Sequence, residues 1–320
     1  MARMTTEARL DALAAEGGFD EAVVRRGLKS RRWVVVMKAA QRVHDPPSRA
    51  LEADLAEAFG RLLEAEPKAD AGCHAKLAIM RAFERGDCLL PEVFLRGLRH
   101  TQWEPVWGGR EDTAGPLRAV SAACLVRTRD PRVLDELAIL LADHLPEPRR
   151  QAAALIPAAG VPGGAALLKL KLLHGDTHPE VLSACCASLL ALDGEDGLGF
   201  VERLLFGEAL EAAEAAATGL GESRLPSAAP LLDRAWGHRV EPGWRRHVFT
   251  CMVLLRLETA HARLVALLVG EDDAVAADVA AALAPVVAHD PRLRGRAREA
   301  LGAVPSRARR HLVLELLGEA

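Results

Sequence analysis

The residues best equipped for chemistry cluster in and around one stretch, 96–118, reading RGLRHTQWEPVWGGREDTAGPLR. His74, His100, Glu104 and Asp112, with Cys73 nearby, offer the nitrogen, oxygen and sulfur donors that a metal ion takes. Their spacing does not follow suit. The sequence holds no HExxH, no CxxC and no His-Glu dipeptide, so neither a metal nor a cofactor is expected. The same residues read better as a binding set. Trp103 and Trp107 supply aromatic surface, and His74, Lys76, His100, Glu104, Asp112 and Arg118 supply convergent polar groups, the usual make-up of a ligand site. Lys38, from an earlier helix, joins them as a further basic contact. Two arrangements of the tryptophans stay open. They line a pocket, or they plug the groove between helix pairs while Gly108-Gly109 makes a turn and Asp112 or Thr113 caps the next helix.

Other chemistry has less support. GxSxG, GxGxxG and Walker A patterns are absent, and no catalytic residue is assigned. The six cysteines (Cys73, Cys88, Cys124, Cys185, Cys186, Cys251) follow no framework and fall mostly in apolar helical runs. That pattern suits free thiols in a reducing compartment, and the Cys185-Cys186 pair should be inert through burial. The first residues are charged throughout, unlike a secretory signal, and no apolar run approaches the ~20 residues needed to span a bilayer. The cytoplasm is therefore expected. A net charge of −3 excludes an overall basic field that would draw the chain to nucleic acid. Locally, 290–311 carries seven arginines against two acids. Without interleaved aromatics, this suits a solvated cap better than a phosphate-contacting face.

The elements that must position these groups read as helices. Half the residues are hydrophobic, yet aromatics make up only 4% and tyrosine is absent. A core of Ala, Leu and Val suits close-packed helices. A capping helix within 1–18 precedes a run of pairs: 21–29 with 31–43, 49–63 with 72–85, 91–100 with 115–128, and 132–142 with 148–159. The pattern continues as 164–173 with 179–192, 197–206 with 208–219, 224–235 with 242–257, 260–269 with 272–288, and 292–301 with 305–317. The 34–36 Val run sits among helix formers, and Asp45-Pro46-Pro47 ends its helix. Second helices recur about every 29–43 residues, the mark of a helical repeat array. Asp130-Pro131, Glu147-Pro148, His178-Pro179, Glu241-Pro242 and Asp290-Pro291 place proline at or near the first helical position, where its missing N–H costs nothing.

These pairs, with their xDPxxR-type turns, resemble HEAT repeats, in particular short bacterial HEAT-like ones. The segment GCHAKLAIMRAF with VFLRGLRHTQWEPVWGGREDTAGPLRA is also similar to one in bacterial HEAT-repeat proteins of uncharacterised function. The resemblance implies an all-α fold: a right-handed α-solenoid of about eight to nine helix pairs over 1–320 as a single domain, without a sheet. In it 101–114 is an enlarged connection inside one pair, lying beside 63–76, and 290–320 is the C-terminal capping pair. The function implied is a non-enzymatic protein–protein scaffold or adaptor, monomeric and without a membrane partner, using a concave face and the 101–114 loop. Two other readings accompany it. One is DNA binding or repair, as in the HEAT-like alkylpurine glycosylases, which needs a continuous basic groove. The other is a small-molecule or tetrapyrrole-binding, lyase-type protein with a Trp103/Trp107 pocket. Deoxyhypusine-hydroxylase relatives use repeated His-Glu pairs, which this chain lacks.

Overall fold

The computed structural model describes residues 4–43, 46–270, 272–300, 302, 304 and 306–319. Asp45, Leu301 and Pro305, which the sequence places in the 45–47 break and at the ends of the last pair of helices, lie outside the described residues. The chain is 73% helical, and its contacts divide it into two compact units, Met1–Val161 and Pro162–Ala320.

The first unit runs α1 (Thr6–Glu16), α2 (Glu21–Leu28), α3 (Trp33–Gln41), α4 (Arg49–Leu63), a 3-10 segment Pro67–Cys73, α5 (His74–Arg85) and α6 (Pro91–Leu98). Strands β1 (Trp103–Val106) and β2 (Gly109–Asp112) follow, then α7 (Gly115–Thr128), α8 (Val133–Leu140) and α9 (Pro146–Ala159). Helices α3, α5, α7 and α9 each pack on the next, while α2, α4, α6 and α8 contact the following member of that row. This is a two-layer helical arrangement built from consecutive pairs. Side chains cap helix starts as the sequence suggests: Thr5, Asp20 and Ser48 each accept from a backbone N–H three residues on. Val35 and Val36 are buried inside α3, so tertiary packing overrides their strand preference.

The expectation of a chain without a sheet is corrected here. The 101–114 connection forms an antiparallel hairpin in the register Trp103↔Asp112, Glu104↔Glu111, Pro105↔Arg110 and Val106↔Gly109. Its two-residue turn is Trp107-Gly108, with Gly108 at φ +90°, a conformation that favours glycine at the second turn position. Gly109 belongs to the strand instead. Pro105 is tolerated because a two-stranded ribbon leaves each strand a free edge.

The second unit holds α10 (Gly164–His174), α11 (Pro179–Asp193), α12 (Glu195–Leu205), α13 (Leu210–Ser223), α14 (Ala228–Ala235), α15 (Trp244–Leu254), α16 (Glu258–Gly270), α17 (Asp273–Val287), α18 (Pro291–Ala300) and α19 (Arg307–Leu317). Helices α11, α13, α15, α17 and α19 form one row, with α10, α12, α14, α16 and α18 each packed on a member of it. The row packs closely where side chains are small. A Cβ added to Gly219 of α13 would stand 2.5 Å from Cys186 Cβ of α11.

Arginines tie successive pairs together inside each unit. Arg61 donates to the Leu28 carbonyl at 2.7 Å, Arg127 to that of Glu84 at 2.7 Å, and Arg309 to that of Val269 at 2.6 Å. Each acceptor lies in the last turn of a helix, where carbonyls have no intrahelical donor. Among the described residues no helix is long and apolar enough to cross a membrane.

Candidate functional site

The hairpin is anchored by a buried polar network in the first unit. Asp70, in the 3-10 segment, accepts from the backbone N–H groups of Ala75 and Lys76 at 2.8 and 3.0 Å, and from Lys76 Nζ at 3.1 Å. Its own carbonyl takes a hydrogen bond from Gln102 Nε2 at 2.7 Å. Glu104 of β1 turns its Oε1 to three donors: Gly72 N–H at 2.7 Å, Gln102 Nε2 at 2.6 Å and Thr113 Oγ1 at 2.9 Å. Burial pushes the Glu104 carboxyl pKa up, but these hydrogen bonds outweigh it and hold the group below its usual value.

Asp112 closes the hairpin. Its Oδ1 accepts from Gln102 N–H at 2.9 Å and from Ala114 N–H at 3.0 Å, so it steadies the start of α7. Its Oδ2 faces Arg118 Nη1 at 2.7 Å and His144 Nε2 at 3.1 Å. Arg118 also forks onto Asp143 and donates to the His100 carbonyl at 3.0 Å. Burial disfavours the charge on both Asp112 and Arg118. Two backbone N–H groups and the guanidinium nevertheless hold Asp112 low, and the two aspartates hold Arg118 high. Asp143 in turn positions α9 through Arg149, which donates to the Asp143 carbonyl at 2.8 Å.

This network changes the roles read from the sequence. Lys76 is 1% exposed and Arg118 is 2% exposed, so neither reaches a partner's surface; their charges meet Asp70, Asp112 and Asp143. Lys38 is tied to Glu7 and Asp11 of α1 at 3.2 and 2.8 Å. His74 is exposed and lies against the Trp33 ring, with centroids 5.6 Å apart. The Nε2 of His100 is buried without a hydrogen-bond partner among the described residues. Burial and the neighbouring Lys76 charge push the His100 pKa below its usual value. The donor set drawn from His74, His100, Glu104 and Asp112 is not assembled: among the described residues no three His, Cys, Asp or Glu side chains are placed to hold a metal ion. Cys73 is buried, and burial pushes its thiol pKa to about 12.

Neither arrangement drawn for the tryptophans is the observed one. Trp103 is 47% exposed and stacks on His144, centroids 5.2 Å apart and planes at 19°. Trp107, at the turn, is 103% exposed and neither walls a pocket nor plugs a groove. The expected capping of the next helix by Asp112 or Thr113 is not formed: the N-cap position of α7 is Ala114, without a side-chain cap, and Asp112 Oδ1 accepts from the Ala114 N–H just before the helix. Sequence reasoning missed Gln102, Asp143 and His144 as members of the network.

No family model and no curated protein matches the chain. Among solved structures it is similar to human deoxyhypusine hydroxylase, at 19% identity over 85% of this chain and 98% of that one, with a TM-score of 0.31. It is also similar to the CpcE–CpcF complex of phycocyanin lyase from Nostoc, at 15% identity over 94% of each chain, with a TM-score of 0.27.

Proposed function

We propose that the protein is a non-enzymatic interaction scaffold whose first unit presents the Trp103–Asp112 hairpin to a protein partner. One observation carries this reading: Trp107 stands fully exposed at the tip of a hairpin whose base is locked by buried ion pairs. An exposed indole on a rigid support suits an interface, because tryptophan dominates binding hot spots and little ordering entropy remains to be lost. Val106, beside it, is exposed as well and extends the apolar surface. The DNA reading needs free cations. Lys38, Lys76 and Arg118 are each engaged with carboxylates instead. The lyase-type reading needs a tryptophan-walled pocket, and the placement of Trp107 offers it no support.

Quantitative mass spectrometry of proteins retained on the wild-type chain and on Trp107→Ala tests the proposal. The expected result is at least one partner held by the wild type and lost from a variant with unchanged melting temperature. Identical partner sets on the two folded proteins would overturn it.

A further inference from the structure

A second site is suggested in the other unit, independent of the hairpin. A cavity of about 440 Å³ opens where α15 and α17 end and α16 and α18 begin, within the size range of small-molecule sites. Val253, Leu254 and Leu293 give it an apolar wall. Its two acids are already engaged. Glu258 pairs with Arg296, and Asp290 Oδ1 accepts the backbone N–H groups of Arg292 and Leu293 at 2.9 and 3.0 Å as the cap of α18. Arg256 and Arg292 also line the cavity, and neither has a carboxylate partner among the described residues. The cavity therefore combines apolar surface with two exposed arginines that have no carboxylate partner among the described residues.

Arg256 occupies an unusual backbone position. It follows α15 in the left-handed conformation, at φ +56°, where glycine is the usual occupant. Arg129 and Arg224 end their helices in the same way. Arg256 is exposed and lines this cavity.

We propose that this cavity binds an organic anion with an apolar body. A carboxylate, sulfonate or phosphate head is held between Arg256 and Arg292, and the body lies against Val253, Leu254 and Leu293. Guanidinium groups match such heads through paired N–H donors, and the aliphatic wall removes the body from water.

Titration of the full chain with anilinonaphthalene sulfonate, followed by fluorescence, tests this. The neutral N-phenylnaphthylamine, with the same ring system and no anionic head, serves as the control. Wild type should bind the sulfonate at one site. Arg256→Gly and Arg292→Ala should each weaken that binding by about tenfold, with no change for the neutral probe. Arg256→Gly suits the purpose because glycine fits the left-handed position, so its melting temperature should not fall. Equal sulfonate affinity in all three proteins, no binding by wild type, or parallel loss of both probes in the variants would overturn the proposal.

Discussion

Arg118 grips Asp143 at two points, Nε to Oδ2 at 2.7 Å and Nη2 to Oδ1 at 2.9 Å, with its third nitrogen on Asp112. The fork joins the start of α7, the foot of the hairpin and the turn before α9. Arg118→Met would leave two buried aspartates without their cation, a loss of about 3–5 kcal/mol. Arg110→Met, on the exposed strand, should change stability by no more than about 0.5 kcal/mol. Urea unfolding followed by circular dichroism separates the two. The double variant Arg118→Met/Asp143→Leu should recover part of the loss, because it removes an uncompensated charge as well as a contact.

Acid should weaken the protein in two stages. The His100 pKa is depressed from the usual 6.5 by burial and by Lys76, so the unfolded chain takes up its proton first. Stability from this group is complete above pH 6.5 and falls as pH drops toward the folded value. Asp112 and Glu104 are held below their usual 3.8 and 4.5, so their contribution is present above those values and is lost as pH falls through the lower folded ones. Urea midpoints measured across this range should show both declines. His100→Leu should abolish the first, and Asp112→Asn should blunt the second.

The hairpin turn should tolerate change unevenly. Gly108→Val places a β-branched side chain at φ +90° and should cost about 1–2 kcal/mol in local hairpin stability, read as faster hydrogen exchange between 102 and 113. Gly109→Ala meets nothing within 4 Å and has no such backbone demand, so its exchange should match wild type.

Glycines in the second unit offer a parallel contrast. Gly219→Ala drives a Cβ to 2.5 Å from Cys186 Cβ and 2.9 Å from the Ala187 nitrogen. Overpacking of this kind should destabilise by about 1–3 kcal/mol. Gly199→Ala, in α12 with nothing within 4 Å, should stabilise by about 0.5–1 kcal/mol through helix propensity. Thermal unfolding of the two variants should shift in opposite directions.

Trp107 should report on its own exposure. Trp107→Ala should leave the melting temperature unchanged, since the side chain buries nothing in this chain. It should also shift the remaining fluorescence to shorter wavelength and lower the fraction quenched by acrylamide. The buried Trp244, whose Nε1 donates to the Ala235 carbonyl at 2.8 Å, remains among the emitters.

The helices were legible in the sequence because their signals are local. Apolar rows at helical spacing, prolines at first-turn positions and side-chain caps act within a few residues, so segments such as 49–63 and 115–128 coincide with α4 and α7. The hairpin was less legible. Its four-residue strands alternate too briefly to announce a sheet, and only Gly108 marks the turn. The partners of the charges could not be read from the chain at all. Lys76 and Arg118 have the residue types of binding contacts, yet Arg118 meets Asp143 from 25 positions away and Glu104 meets Gly72 from 32. Burying a cation is costly without a carboxylate beside it; Asp70 and Asp112 lie six positions from Lys76 and Arg118, but Asp143, which completes the fork on Arg118, comes from the next helix pair. The sequence by itself therefore determined the helices and a distinctive stretch between two of them. The tertiary structure decided which charges are consumed in holding that stretch and which tryptophan is left facing outward.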